Sequence, residues 1–155
     1  MDKQQIIETW TINNRINLYL LEAIPAEDLG AALTSKGRCA GEQLAHIHNV
    51  RLMWLKAAQP ELLDGQTKIE KEQSGDKAML AQRLGESCEA IEKLIGSAID
   101  NGGKVKGFKP HVIGFLGYMI AHDSHHRSQA IIALKQAGHP LDKKILYGIW
   151  EWGSR

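Results

Sequence analysis

The chain has 155 residues, seven of them histidine, and a formal net charge of +1 with acidic and basic residues interspersed, which argues against a nucleic-acid-binding stripe. Its length suits one domain over residues 1–155 and buries about two-thirds of the unfolded surface, so no disulfide is needed for folding. No run approaches about 18 apolar residues, which argues against a membrane span, and the N-terminal Met1-Asp2-Lys3-Gln4-Gln5 lacks the charged-then-apolar pattern of a secretion signal, so a reducing cytoplasm is the expected compartment.

The apolar periodicity is helical throughout. A first helix is predicted over about Asp2–Ala23, with Asp2 as N-cap and Pro25 at the exit. Ile6, Trp10, Asn13, Asn17, Leu20 and Ile24 form its stripe, widened by Ile12, Ile16 and Tyr19. A connection over Pro25–Arg38, carrying Gly30, Thr34, Ser35, Lys36 and Gly37, leads to a second helix at about Ala40–Ala58. The polar stretch Glu61–Asp76 is long enough for a crossover between helices that are not neighbours. A third helix covers about Gly75–Ile99, with Leu80, Leu84, Cys88, Ile91, Ile95 and Ala98 on one face and Asn101-Gly102-Gly103 as its stop. A fourth runs from Pro110 to Ala137, with Pro110 in its first turn, and a short last helix spans about Asp142–Trp150. The fold class is therefore all-α: a four-helix bundle with crossover connections plus a short C-terminal helix. Cys39 and Cys88 have neither a disulfide framework nor metal-site spacing, and Cys88 reads as a buried thiol.

Four of the histidines lie between His111 and His126. His122 and His126 are four residues apart, one turn along a helix face, and share the stripe Phe115, Met119, Ala130, Ala133, Ala137. Buried imidazoles require partners. These two either hydrogen-bond to facing helices or bind a transition metal, for which an i, i+4 pair is a common ligand unit. His125 points about 100° away and receives no role. Asp123 and Gln129 read as solvated residues before they read as partners that orient a histidine. Arg127 suits an ion pair within the bundle or an anionic group. The second helix offers His46, in line with Val50, Met53 and Ala57, and His48, in line with Leu44, Leu52 and Leu55. Periodicity does not choose between them, and one of the two reads as a polar flank.

The segments His46-Ile47 through Trp54-Leu55 and His122 through His126-Arg127-Ser128-Gln129 resemble the DinB family, the DinB/YfiT-like metalloenzymes. The tail Leu146-Tyr147-Gly148-Ile149-Trp150-Glu151-Trp152-Gly153 is similar to family members that end in a tryptophan-containing segment, so the resemblance spans nearly the whole chain. It implies a bundle holding a metal by three histidines near one end. His122 and His126 match the fourth-helix ligands. His46 matches the second-helix ligand, because Arg51 and Trp54 then follow at the family's spacing; His48 is the alternative. The chain departs from the pattern at Ser128, where many members have glycine.

Three neutral imidazoles suit Zn2+, Ni2+ or Fe2+ and leave the full charge on the ion, which can lower the pKa of water or thiol. Two reaction types follow: hydrolysis, or activation of a thiol for transfer or isomerisation. Relatives implied by the resemblance include thiol-dependent S-transferases and a maleylpyruvate isomerase, which favours the second, with a low-molecular-weight thiol as cofactor and a small molecule as substrate. The catalytic residues are not evident in the sequence. Asp123 and Glu42, one turn before His46, read as surface carboxylates before they read as bases. Substrate contacts are expected from the Glu61–Asp76 stretch and the Trp150–Trp152 tail. The alternatives are a non-catalytic metal-binding stress-response protein and a helical dimerisation module with structural histidines. A homodimer is expected on prior grounds, with Ile12, Ile16 and Tyr19 as a sample interface.

Overall fold

A computed structural model describes residues 2–32 and 37–155; Thr34, Ser35 and Lys36 of the first connection lie outside the described residues. Four long helices and one short one form: α1 Lys3–Ala23, α2 Ala40–Ala58, α3 Lys77–Asp100, α4 Val112–Gln136 and α5 Lys143–Gly148. The described residues contain no strand, only an isolated bridge between Lys104 and His111.

Helix starts follow side-chain caps. Asp2 accepts a hydrogen bond from Gln4 N–H and opens α1. Asp76 accepts from Met79 N–H at 2.9 Å, so α3 starts at Lys77, two residues later than Gly75. Pro110 lies outside α4: His111 is the N-cap, its Nδ1 accepting from Gly114 N–H at 3.2 Å. The cap satisfies an N–H that a proline two positions earlier cannot reach. The last helix stops at Gly148, and a 3-10 turn over Trp152–Ser154 follows. Arg155 stacks 3.7 Å above the Tyr19 ring, and any Cβ at Gly148 would collide with the Tyr19 hydroxyl.

The expected stripes of α1 and α3 are buried along their full length. Two hydrophobic clusters fill the interior. One joins Ile6 and Trp10 of α1, Leu55 of α2, Ile91–Ala98 of α3 and Val112–Met119 of α4. The other joins Leu20 and Leu21, Leu44 and Ile47, Leu80 and Leu84, and Ala130 and Leu134. The N-terminal half of α2 therefore lies level with the N-terminal half of α3, and the two run in the same direction. They also pack directly on one another. The long stretch between them thus joins neighbours, contrary to expectation, and its length has another cause: parallel neighbours require a return along the bundle.

That returning segment is tied to α2. Asn49 grips the Ile69 backbone at both its N–H and its C=O, each at 2.9 Å. Gly41 lies so close beneath Ser74 that a Cβ would overlap the Ser74 carbonyl oxygen. The sample dimer face is not free, since Ile16 is fully buried and Tyr19 is covered by the C-terminal residues.

Candidate metal centre

The ligand atoms of His46, His122 and His126 all lie within 4.8 Å of one another. Nitrogens on one tetrahedral ion stand about 3.4 Å apart, a difference that side-chain rotation covers. The ring centroids are 5.4 Å apart for His46 and His122, 4.4 Å for His46 and His126, and 4.5 Å for the α4 pair. The α4 pair meets because four residues make one turn. His46 meets it because its line turns outward after Val50 toward exposed Met53, placing the imidazole at the rim between α2 and α4.

His48 is elsewhere. It is fully buried, with Nδ1 2.9 Å from Arg83 C=O and Nε2 2.9 Å from Thr67 C=O. It ties α2 to α3 and to the returning segment, and neither α2 histidine is a polar flank. Only a doubly protonated ring would satisfy both carbonyls; burial, foremost, opposes that charge and pulls its pKa below the ordinary value.

Each α4 histidine is oriented from behind. His126 Nδ1 is 2.7 Å from Gln43 Oε1. An amide oxygen only accepts, so Nδ1 carries the proton and Nε2 is left as the free lone pair. Burial, then the neighbouring His122 and His46, lowers the His126 pKa from 6.5 to about 4. Burial, then Arg38, lowers that of His46. Both stay neutral at physiological pH, the form a metal requires.

Behind His122 lies Asp123, with no exposed surface. Its Oδ2 accepts from Arg51 Nη2 at 2.7 Å, Asn13 Nδ2 at 2.8 Å and Asn17 Nδ2 at 3.0 Å. Burial pushes its carboxyl pKa up, but Arg51 and the hydrogen bonds overcome this and hold it at about 2. Its Oδ1 has no hydrogen-bond partner, nor does His122 Nδ1, and the two stand 3.7 Å apart. That is too long for a hydrogen bond. A small rotation with the proton on Nδ1 would pair these two buried orphans and would leave Nε2 of His122 for an ion. The donor set thus fits a divalent transition metal: three imidazoles, one oriented by an amide and one faced by a carboxylate.

The reading of Asp123 as a solvated residue is overturned, because Arg51 rises from inside α2 to meet it. Arg51 is itself fully buried, stacks 4.8 Å over Trp10 and donates to Asn14 Oδ1, Leu84 C=O and Ser87 Oγ. Gln129 does not touch the cluster's hydrogen bonds; Gln43 has that role. Glu42 is engaged at the start of α2, its Oε2 accepting from Cys39 N–H at 2.8 Å and its Oε1 standing 3.5 Å from Lys71 Nζ.

Two clefts open beside His46. A polar one of about 230 Å³ includes Arg38, Glu42, Asn49, Lys68 and Lys71, and an apolar one of about 460 Å³ includes Val50, Met53 and Leu63. The stretch after α2 therefore lines the site. The Trp150–Trp152 tail does not: it lies on the other side of α4, across a cleft from Ser124 and Ser128.

The model of the DinB family matches residues 1–147 of the chain. No curated protein and no solved structure matches it significantly.

Proposed function

The chain belongs to the DinB family, and from that premise we propose a metal-dependent enzyme in which His46, His122 and His126 hold one Zn2+, Ni2+ or Fe2+. The observation that carries this reading is the convergence of the three imidazoles to within 4.8 Å, with ligand atoms drawn from two helices. When bound, the ion supplies Lewis acidity that makes a thiol or water a nucleophile at neutral pH.

The remaining work falls to the chain. Gln43 and Asp123 fix the tautomers of His126 and His122. Arg38 adds positive charge beside His46, and the polar and apolar clefts give a small molecule room on both sides of that ring. The three carboxylates near the cluster are all engaged: Asp123 with Arg51, Glu42 with Cys39 and Lys71, and Glu70, which lines the polar cleft, with Lys68. The chain's own thiols are poor nucleophiles: Cys88 is buried and its pKa is pushed up to about 11, and burial also raises the pKa of half-buried Cys39. These points favour transfer or isomerisation with an external low-molecular-weight thiol, with hydrolysis as the second reaction type. A non-catalytic metal-binding role in stress response uses the same cluster.

Metal content of protein purified without chelator or tag, compared with His126→Ala, tests the reading. About one ion per chain, lost in the variant, is expected. A wild type that neither contains nor takes up Zn2+ or Ni2+ would sink it and leave the histidines as structural groups.

A further inference from the structure

Ser124 lies two residues, about 200° of helix, from both His122 and His126, so it and Ser128 face away from the metal cluster. A cleft of about 200 Å³ opens there between α4 and the C-terminal segment. Its walls are mainly apolar: Ile120, Ile131, Ile149, Trp150 and Trp152. Its one charged lining residue is Arg127.

Arg127 is 7 % exposed and divides its donors between two sides. Nη1 turns inward, to Asn17 Oδ1 at 2.6 Å and Asn13 Oδ1 at 2.9 Å. Nε and Nη2 have no hydrogen-bond partner among the described residues, yet neither is sealed from solvent. Those two atoms form the side-on edge of the guanidinium, whose parallel N–H bonds match a carboxylate.

The charge balance gives the same answer. Arg51 and Arg127 are both buried, and the buried carboxylate beside them, Asp123, pairs with Arg51. Arg127 has no ion-pair partner among the described residues. Glu151, which stands between the two tryptophans, is exposed and turns to Arg155 at 3.5 Å. Two buried guanidiniums share one buried carboxylate, so the group keeps a net positive charge, an arrangement that is costly in isolation and that an anion would relieve.

We propose that this cleft is a second binding site, independent of the metal, for a small aromatic monocarboxylate. The carboxylate takes the Nε–Nη2 edge of Arg127, and the ring lies among Ile131, Trp150 and Trp152.

The test uses the 15N-labelled full chain, metal-loaded and metal-free, titrated with benzoate and with its neutral counterpart benzamide. The indole N–H signals of Trp150 and Trp152 report binding. Saturable shifts are expected in both forms, with benzoate about tenfold tighter, as for one added charge-assisted contact. Arg127→Lys, which keeps the charge and loses the fork, is expected to shrink that preference. Ser124→Trp fills the cleft without touching the hydrogen bonds from Arg127 to Asn13 and Asn17 and is expected to abolish binding while the circular dichroism spectrum is retained; this variant decides alone if Arg127→Lys does not fold. Equal affinity for benzamide, shifts confined to the histidine cluster, or binding that survives in Ser124→Trp would each overturn the proposal.

Discussion

Asp123→Asn is the most discriminating single change. It keeps the shape of the side chain, and its amide oxygen can still accept from Arg51, Asn13 and Asn17. Its NH2 group must then occupy the Oδ1 position, 3.7 Å from His122 Nδ1. A donor there turns His122 Nδ1 into an acceptor and moves the ring proton to Nε2, the nitrogen meant for the ion. Metal affinity is expected to fall by about 10–100-fold, the usual loss when a group orienting a metal-ligating histidine is removed. Stability falls too. Breaking one side of a buried ion pair costs about 3–5 kcal/mol. Linkage points the same way: a carboxyl pKa of about 2 in the folded chain against an ordinary 3.8 corresponds to a stabilisation of about 2 kcal/mol. Because the folded value is the lower one, this stability is present above pH 3.8 and is lost as pH falls toward 2. The variant should therefore be less stable by roughly 2–4 kcal/mol at pH 7 and lack this share of the wild type's acid-induced loss. Urea unfolding at several pH values and competition for Zn2+ with a chromophoric chelator measure the two effects. A variant within about 1 kcal/mol of wild type and with unchanged metal affinity would refute the reasoning.

Other outcomes are as definite. Gly41→Ala gains about 1 kcal/mol of helix propensity but drives a methyl into the Ser74 carbonyl, so urea unfolding should show a net loss of about 1–2 kcal/mol from overpacking; a stabilised variant would contradict the contact. His48→Ala removes the one N–H that the neutral ring donates between the Arg83 and Thr67 carbonyls and should cost about 1–3 kcal/mol, speed amide exchange near Thr67, and leave metal stoichiometry at the wild-type value. Cys88, with its pKa raised to about 11 by burial, should resist iodoacetamide at pH 8 in the native protein while Cys39 reacts first, and both should react in urea; rapid native labelling of Cys88 by mass spectrometry would show that its burial is wrong.

The helices were legible because their burial faces follow from spacing alone: every residue of the expected α1 and α3 stripes is buried. The ends shifted where a side chain took a backbone N–H that composition does not reveal, as His111 does ahead of α4. The three histidines could be named, two from their spacing and His46 from the family pattern. Asn13 and Asn17 fall on the buried stripe of α1, but the sequence assigns them no role. Their partners were not legible, because Arg51 and Asp123 are on separate helices and each reads alone as a surface charge. Gln43 gave no signal, since only the packing of α2 on α4 brings it to His126. The direction of α3 was hidden for the same reason: periodicity records which face is buried and carries nothing about which way a neighbour runs.

His46 stands on α2 and its two companions on α4, with the returning segment and all of α3 between them. An ion shared by these side chains is also a cross-link, closing a long loop of chain and restricting the unfolded state much as a disulfide does. The coupling runs the other way as well. A molecule whose α2 has come loose keeps only the two imidazoles of one helix, too few to hold a reactive ion tightly. On the proposed reading, damage to the bundle would disarm the site, and metal reactivity would be confined to chains whose tertiary structure is intact.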